Sequence, residues 1–102
     1  MLNVTVNPLI LPMFKKKGYW FDFDCCKTTF RNRENIPLFE IIYDQTTYLN
    51  ILLTRKSEYR TGSINITCNG KGEPNLHFNI IENGKTKRMT ININYDGQEE
   101  RQ

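Results

Sequence analysis

The residues of this chain that could do chemistry are few and are poorly placed to act together. Asp22 and Asp24 are two apart. On a strand they would share a face at a spacing of roughly 6–7 Å, with Trp20 in phase beside them. Two carboxylates near an aromatic platform suggest glycoside hydrolysis, but nothing else in the chain completes such a site. A solvated strand face carrying one amphipathic ring accounts for the same three residues. His77 is the single histidine. A catalytic imidazole needs a nucleophile or an orienting partner, and the two serines, Ser57 and Ser63, fall in a polar connection. Cys25, Cys26, Cys68 and His77 add up to four zinc-type ligands, but zinc sites use pairs spaced so that two ligands converge. Adjacent cysteines on a strand point to opposite faces. Cys25 and Cys68 fall in phase with buried positions and read as core thiols. The pattern predicts no enzyme: no catalytic, cofactor-binding or metal-ligating residue, and no cofactor.

The elements that would carry these residues are mostly strands. Ile64, Ile66 and Cys68 alternate with Asn65, Thr67 and Asn69. Leu76, Phe78 and Ile80 alternate with His77 and Asn79, and Met89, Ile91, Ile93 and Tyr95 with Thr90, Asn92 and Asn94. Period two over three segments means three strands with one buried face. Asn83-Gly84 is a strong two-residue hairpin signal, so roughly 63–69, 75–82 and 86–95 form an antiparallel meander. Leu2, Val4 and Val6 mark a further strand, stopped by Pro8 and Pro12. Tyr19, Phe21 and Phe23, alternating with Trp20, Asp22 and Asp24, mark another.

Residues 36–56 admit two readings. As a helix, Leu38, Ile41, Ile42, Leu49, Leu52 and Leu53 share a stripe, with Asn35 as cap and Pro37 in the first turn. As a hairpin, 38–43 and 48–55 flank a turn at 44–47, which the β-branched and aromatic content favours. The fold class predicted is all-β, mainly antiparallel: a small sandwich or flattened barrel of five to seven strands. The alternative is α+β with one helix over about 37–55 packed on the sheet. A single domain would occupy 1–96 and a flexible tail 97–102.

Composition bounds the remaining possibilities. The chain has 102 residues, enough for one core without staples. The net charge of +3 permits an acidic partner without demanding one. The longest apolar run, residues 8–14, is far below the roughly 20 residues a membrane helix needs. It is also followed, not preceded, by its lysines, unlike a signal peptide. An odd cysteine count with an adjacent pair argues against a disulfide framework and for a reducing, cytoplasmic setting. Alanine is absent and the valines are only Val4 and Val6, while Asn, Ile, Lys, Tyr and Phe are abundant. These five are the amino acids of AT-rich codons, which suggests a phage or other mobile element.

Two surfaces could bind. The polar face of the meander is rich in neutral amides, which can hydrogen-bond a partner without large desolvation cost. Asn65, Thr67, His77, Asn79, Asn92 and Asn94, with Trp20, are the residues expected to touch a host protein. The expectation is an accessory protein that inhibits that protein, for example a defence nuclease, by direct contact. The alternative is a single-stranded nucleic-acid binder using Lys15, Lys16, Lys17, Tyr19, Trp20 and Arg88, with bases stacked on rings and phosphates on cations. Open sheet edges could also accept a partner strand or a second copy of the chain.

Overall fold

A computed structural model describes residues 2–24, 27–43, 47–51, 55–59 and 61–101. Among the described residues, ten strands form two five-stranded sheets that share one core. The strands are β1 (Leu2–Val6), β2 (Trp20–Phe23), β3 (Lys27–Arg31), β4 (Pro37–Tyr43), β5 (Thr47–Ile51), β6 (Arg55–Tyr59), β7 (Gly62–Cys68), β8 (Pro74–Glu82), β9 (Lys85–Ile93) and β10 (Glu99–Arg101). Sheet I has the order β1-β7-β8-β9-β10, and sheet II the order β2-β3-β4-β5-β6. The N-terminal strand returns to lie parallel to β7, with Val4 opposite Ile64; every other pairing is antiparallel. The all-β sandwich with its C-terminal meander is thus present. Its strands are more numerous than the five to seven expected.

Residues 36–56 resolve to the hairpin reading: β4 and β5 pair antiparallel, with Phe39 opposite Ile51 and Tyr43 opposite Thr47. Beta-branched side chains lose rotamer freedom on a helix and pack well on a pleated surface. Residues 44–46 of the turn expected at 44–47, like Cys25 and Cys26, lie outside the described residues. The register between β3 and β4 slips at Phe30/Arg31. Such a bulge re-aims one side chain, and Leu38 and Phe39, neighbours in sequence, are both buried.

Two features were not legible. Residues 8–17, an apolar run ending in three lysines, form a 3-10 turn (Pro8–Ile10) leading into a short helix, α1 (Leu11–Lys17). Asn7 caps the turn by accepting from Leu9 N–H at 3.0 Å, and Ile10 and Phe14 join the buried core. The chain beyond residue 96, expected to be a loose tail, instead pairs as β10 along β9, with Glu99 opposite Ile93.

One turn design recurs at three hairpins. Asn32, Asn69 and Asn94 each accept, through Oδ1, the backbone N–H groups two and four residues ahead, at 2.9–3.0 Å. In each, the backbone oxygen accepts from the residue three ahead, and that residue is left-handed: Asn35 (φ 64), Gly72 (φ 79) and Gly97 (φ 86). This is a three-residue hairpin loop ending in a left-handed bulge residue, which favours Gly or Asn there and Asn at its start. The Asn83-Gly84 turn differs: both residues have positive φ, 53 and 73, as a two-residue hairpin of mirror-image type requires.

Candidate functional site

The outer face of sheet I is the amide-rich surface that the sequence singles out. Ser63, Asn65, His77, Asn79, Arg88 and Thr90 surround a shallow depression of about 300 Å³. Asn65 and Asn79 are exposed there, while Thr67 and His77 are half-buried. Most of the polar groups already have partners. Thr5 Oγ1 donates to Asn65 Oδ1 at 3.2 Å. The two ring nitrogens of His77 lie 2.7 Å from Thr67 Oγ1 and 3.1 Å from Thr90 Oγ1. That string holds the imidazole between two neutral hydroxyls, with no carboxylate to orient it as an acid–base catalyst needs.

Three expected contact residues belong elsewhere. Asn92 is buried at 1% exposure, donating to Asn75 Oδ1 at 2.9 Å and Pro74 O at 3.3 Å. β10 pairs beside it, with Glu100 opposite Asn92, so the position is interior to the sheet and cannot be a docking contact. Asn94 is the starting residue of the last turn, where its side-chain oxygen is already occupied. Trp20 sits on the outer face of the other sheet. Its register partner Arg31 places its guanidinium carbon 5.9 Å from the ring centroid and its Nε 3.2 Å from Asp22 Oδ2. Asp22 is therefore one half of an ion pair, and the Asp22–Asp24 pair offers no free dyad.

The basic and aromatic residues expected to bind nucleic acid do not converge either. Lys15, Lys16 and Lys17 are exposed on α1. Arg88 lies on the outer face of sheet I, opposite Asn79. Tyr19 cannot stack a base: it is 4% exposed, with its ring stacked on Phe30 at 5.3 Å and edge-on to Phe14 at 6.0 Å. Burial first, then Glu73, Tyr95 and Asp96, push its phenol up to about 12.

A different region holds the largest exposed apolar groups. β1 is one edge strand of sheet I and β2 one edge strand of sheet II, each with one hydrogen-bonded neighbour among the described residues; β10 and β6 form the opposite edges. Between β1 and β2 opens an apolar slot of about 240 Å³, lined by Val4 and Val6 of β1, Phe21 and Phe23 of β2, Leu11, Thr28, Ile41 and Ile66. Aromatic rings lead into it across sheet II. Phe39 stacks on Phe30 at 4.9 Å, Phe21 meets Phe30 edge-on at 4.8 Å, and Phe23 stacks on Phe21 at 6.1 Å. The row starts in the core and ends in solvent, with Phe23 76% exposed. Leu9, in the 3-10 turn, is 81% exposed, and Leu11 and Met13 are 43% and 47% exposed. A single exposed leucine is ordinary; Phe23 and Leu11, both exposed where they line one open slot, mark an interaction site.

No family model, curated protein or solved structure matches this chain.

The site is thus read from geometry alone. Period-two alternation does assign Val4, Val6, Phe21 and Phe23 to buried faces, but alternation cannot say which strands end up at sheet edges. Cys68, expected as a core thiol, packs half-buried against the core with its Sγ 3.8 Å from Met13 Sδ. No group of three or more His, Cys, Asp or Glu among the described residues could hold a metal ion. No helix among them is long and apolar enough to cross a membrane.

Proposed function

We propose that this protein is a non-enzymatic binding module that captures an extended segment of another protein at the open edge between β1 and β2. The observation that carries this reading is the apolar slot of about 240 Å³ between two edge strands, beside which Phe23 stays 76% exposed. An added strand would satisfy the free backbone groups of one edge, and its alternate side chains would enter the slot. Burying a side chain of the Phe23 or Leu11 type is worth about 1.5–3 kcal/mol. Lys15 lies four residues after Leu11, on the same side of α1, so an acidic residue beside the apolar one completes the complement. AT-rich composition supports a phage or mobile-element origin, and from there a partner in the host that is inhibited by occlusion, such as a defence nuclease.

The test is a pull-down from lysate of the cell that carries the gene, with three baits. Wild type and Asn79→Asp should recover the same stoichiometric protein, and Phe23→Asp should lose at least about 100-fold in affinity, about 2.7 kcal/mol. Recovery that survives Phe23→Asp overturns the edge reading. A concentration-dependent dimer abolished by Phe23→Asp would replace the foreign segment with a second copy. Oligonucleotide binding that falls steeply with salt and ignores Phe23→Asp would favour nucleic acid instead.

A further inference from the structure

The pole where the three asparagine turns meet carries a second site. Asn32 Nδ2 donates to Tyr95 O at 3.0 Å, and Tyr95 N–H donates to Glu73 Oε2 at 3.3 Å. The first, second and third turns are thereby tied together through one residue. They enclose, with the end of α1, a pocket of about 350 Å³ lined by Lys17, Tyr19, Arg33, Lys71, Glu73 and Tyr95. Each of the three cations comes from a different element: α1, the β3–β4 turn and the β7–β8 turn.

Two of these exposed cations, Lys17 and Arg33, have packed stems, and Lys71 stands at the loop tip beside them. Gly72 (φ 79) lies so close to Lys17 that a Cβ there would come within 2.9 Å of Lys17 Cγ. Gly18 (φ 85) lies so close to Arg33 that a Cβ would come within 2.7 Å of Arg33 Cβ. The lysine and arginine stems therefore rest on left-handed backbone where only glycine leaves room. None of the three forms an ion pair among the described residues. Glu73, the one acid of the pocket, has both oxygens engaged, by Asn69 Nδ2 at 2.9 Å and by Tyr95 N–H. Three positive charges face the already engaged Glu73, with Asp96 also within electrostatic reach of Tyr19, so the pocket keeps a positive surplus that suits the anionic group of a phosphate monoester.

We infer that this pole binds a small phosphomonoester, its phosphate held by Lys17, Arg33 and Lys71 and its organic part against Tyr95. The volume is at the small end of organic-ligand sites, roughly 300–1,000 Å³. Loops fixed on a rigid sandwich are where such recognition is commonly placed. The site is independent of the β1–β2 edge.

The experiment is an amide-NMR titration of the full chain with phenyl phosphate, repeated with inorganic phosphate. Saturable shifts should concentrate at residues 17–19, 33–36, 70–73 and 95–97. Lys71→Ala, a loop-tip change with no buried contact to lose, should weaken phenyl phosphate at least about tenfold, and Lys85→Ala at the hairpin tip should leave it unchanged. Phe23→Asp should also leave it unchanged, which separates this site from the edge. Absence of saturation up to about 20 mM, weaker than a millimolar site allows, overturns the inference. So does an affinity that Lys71→Ala and Lys85→Ala reduce equally, because that is diffuse charge attraction.

Discussion

The outer face of sheet I and the β1–β2 edge are both accessible, but they differ in what their side chains have left to offer. On the sheet face, Thr5 donates to Asn65 Oδ1, and Thr67 and Thr90 occupy both ring nitrogens of His77. A partner docking there would exchange existing hydrogen bonds for new ones, a trade of small net gain. At the edge, apolar surface and strand backbone have no counterpart among the described residues. Covering them yields a net gain without breaking anything. A polar, uncharged surface is thus a weaker sign of binding than an unfinished apolar one.

The largest effect that can break this contrast is in affinity. Phe23→Asp should cost the complex about two orders of magnitude, while Asn79→Asp costs less than about threefold; at 1.36 kcal/mol per decade the difference exceeds about 2 kcal/mol. Binding curves from a titration with the recovered partner check it. Because Phe23 is 76% exposed, the unfolding midpoint of Phe23→Asp should stay within about 3 °C of wild type.

The core shared by both regions has a pH signature. Tyr19 is raised from 10.0 to about 12. Its neutral form is favoured in the folded chain, so its contribution is full below pH 10 and is lost as pH rises through 12. Across that window stability should fall by roughly 2–3 kcal/mol, and Tyr19→Phe should flatten the fall. Urea unfolding at stepped pH reads both.

The turns give the next effect. Asn69 orders the β7–β8 loop through one donor and a shared acceptor. Asn69→Ala leaves those backbone groups short of partners and should cost about 2 kcal/mol, read by the same urea titration. The smallest effect belongs to the amide face. His77→Ala removes two hydrogen bonds to threonines at a half-buried position and should cost about 1 kcal/mol of stability. Partner affinity should be unchanged.

The meander, the 38–43 hairpin strand and the Asn83-Gly84 turn were legible because each is a local pattern: alternation, β-branching or a turn dipeptide that only one backbone shape accommodates. What was not legible is what depends on distant pairing. Asn92 follows the same alternation as Asn65, yet β10 alongside it turns an outward position into a sealed one. Tyr19 was in phase with Phe21 but its place beside a lysine run disguised a core residue as a stacking platform. The edge position of β1 follows from its parallel pairing with β7, sixty residues away. The three asparagine turns did have a local signal, an Asn followed three residues later by Asn or Gly, at 32, 69 and 94. Composition bias toward asparagine obscured it.

Site-specific photo-crosslinking in the cell that carries the gene tests the central claim most directly. A benzoylphenylalanine in place of Phe23 should capture one discrete protein, and the same group in place of Asn79 should capture none. An adduct from position 79 with none from position 23 would place the working surface on the amide face and contradict the account.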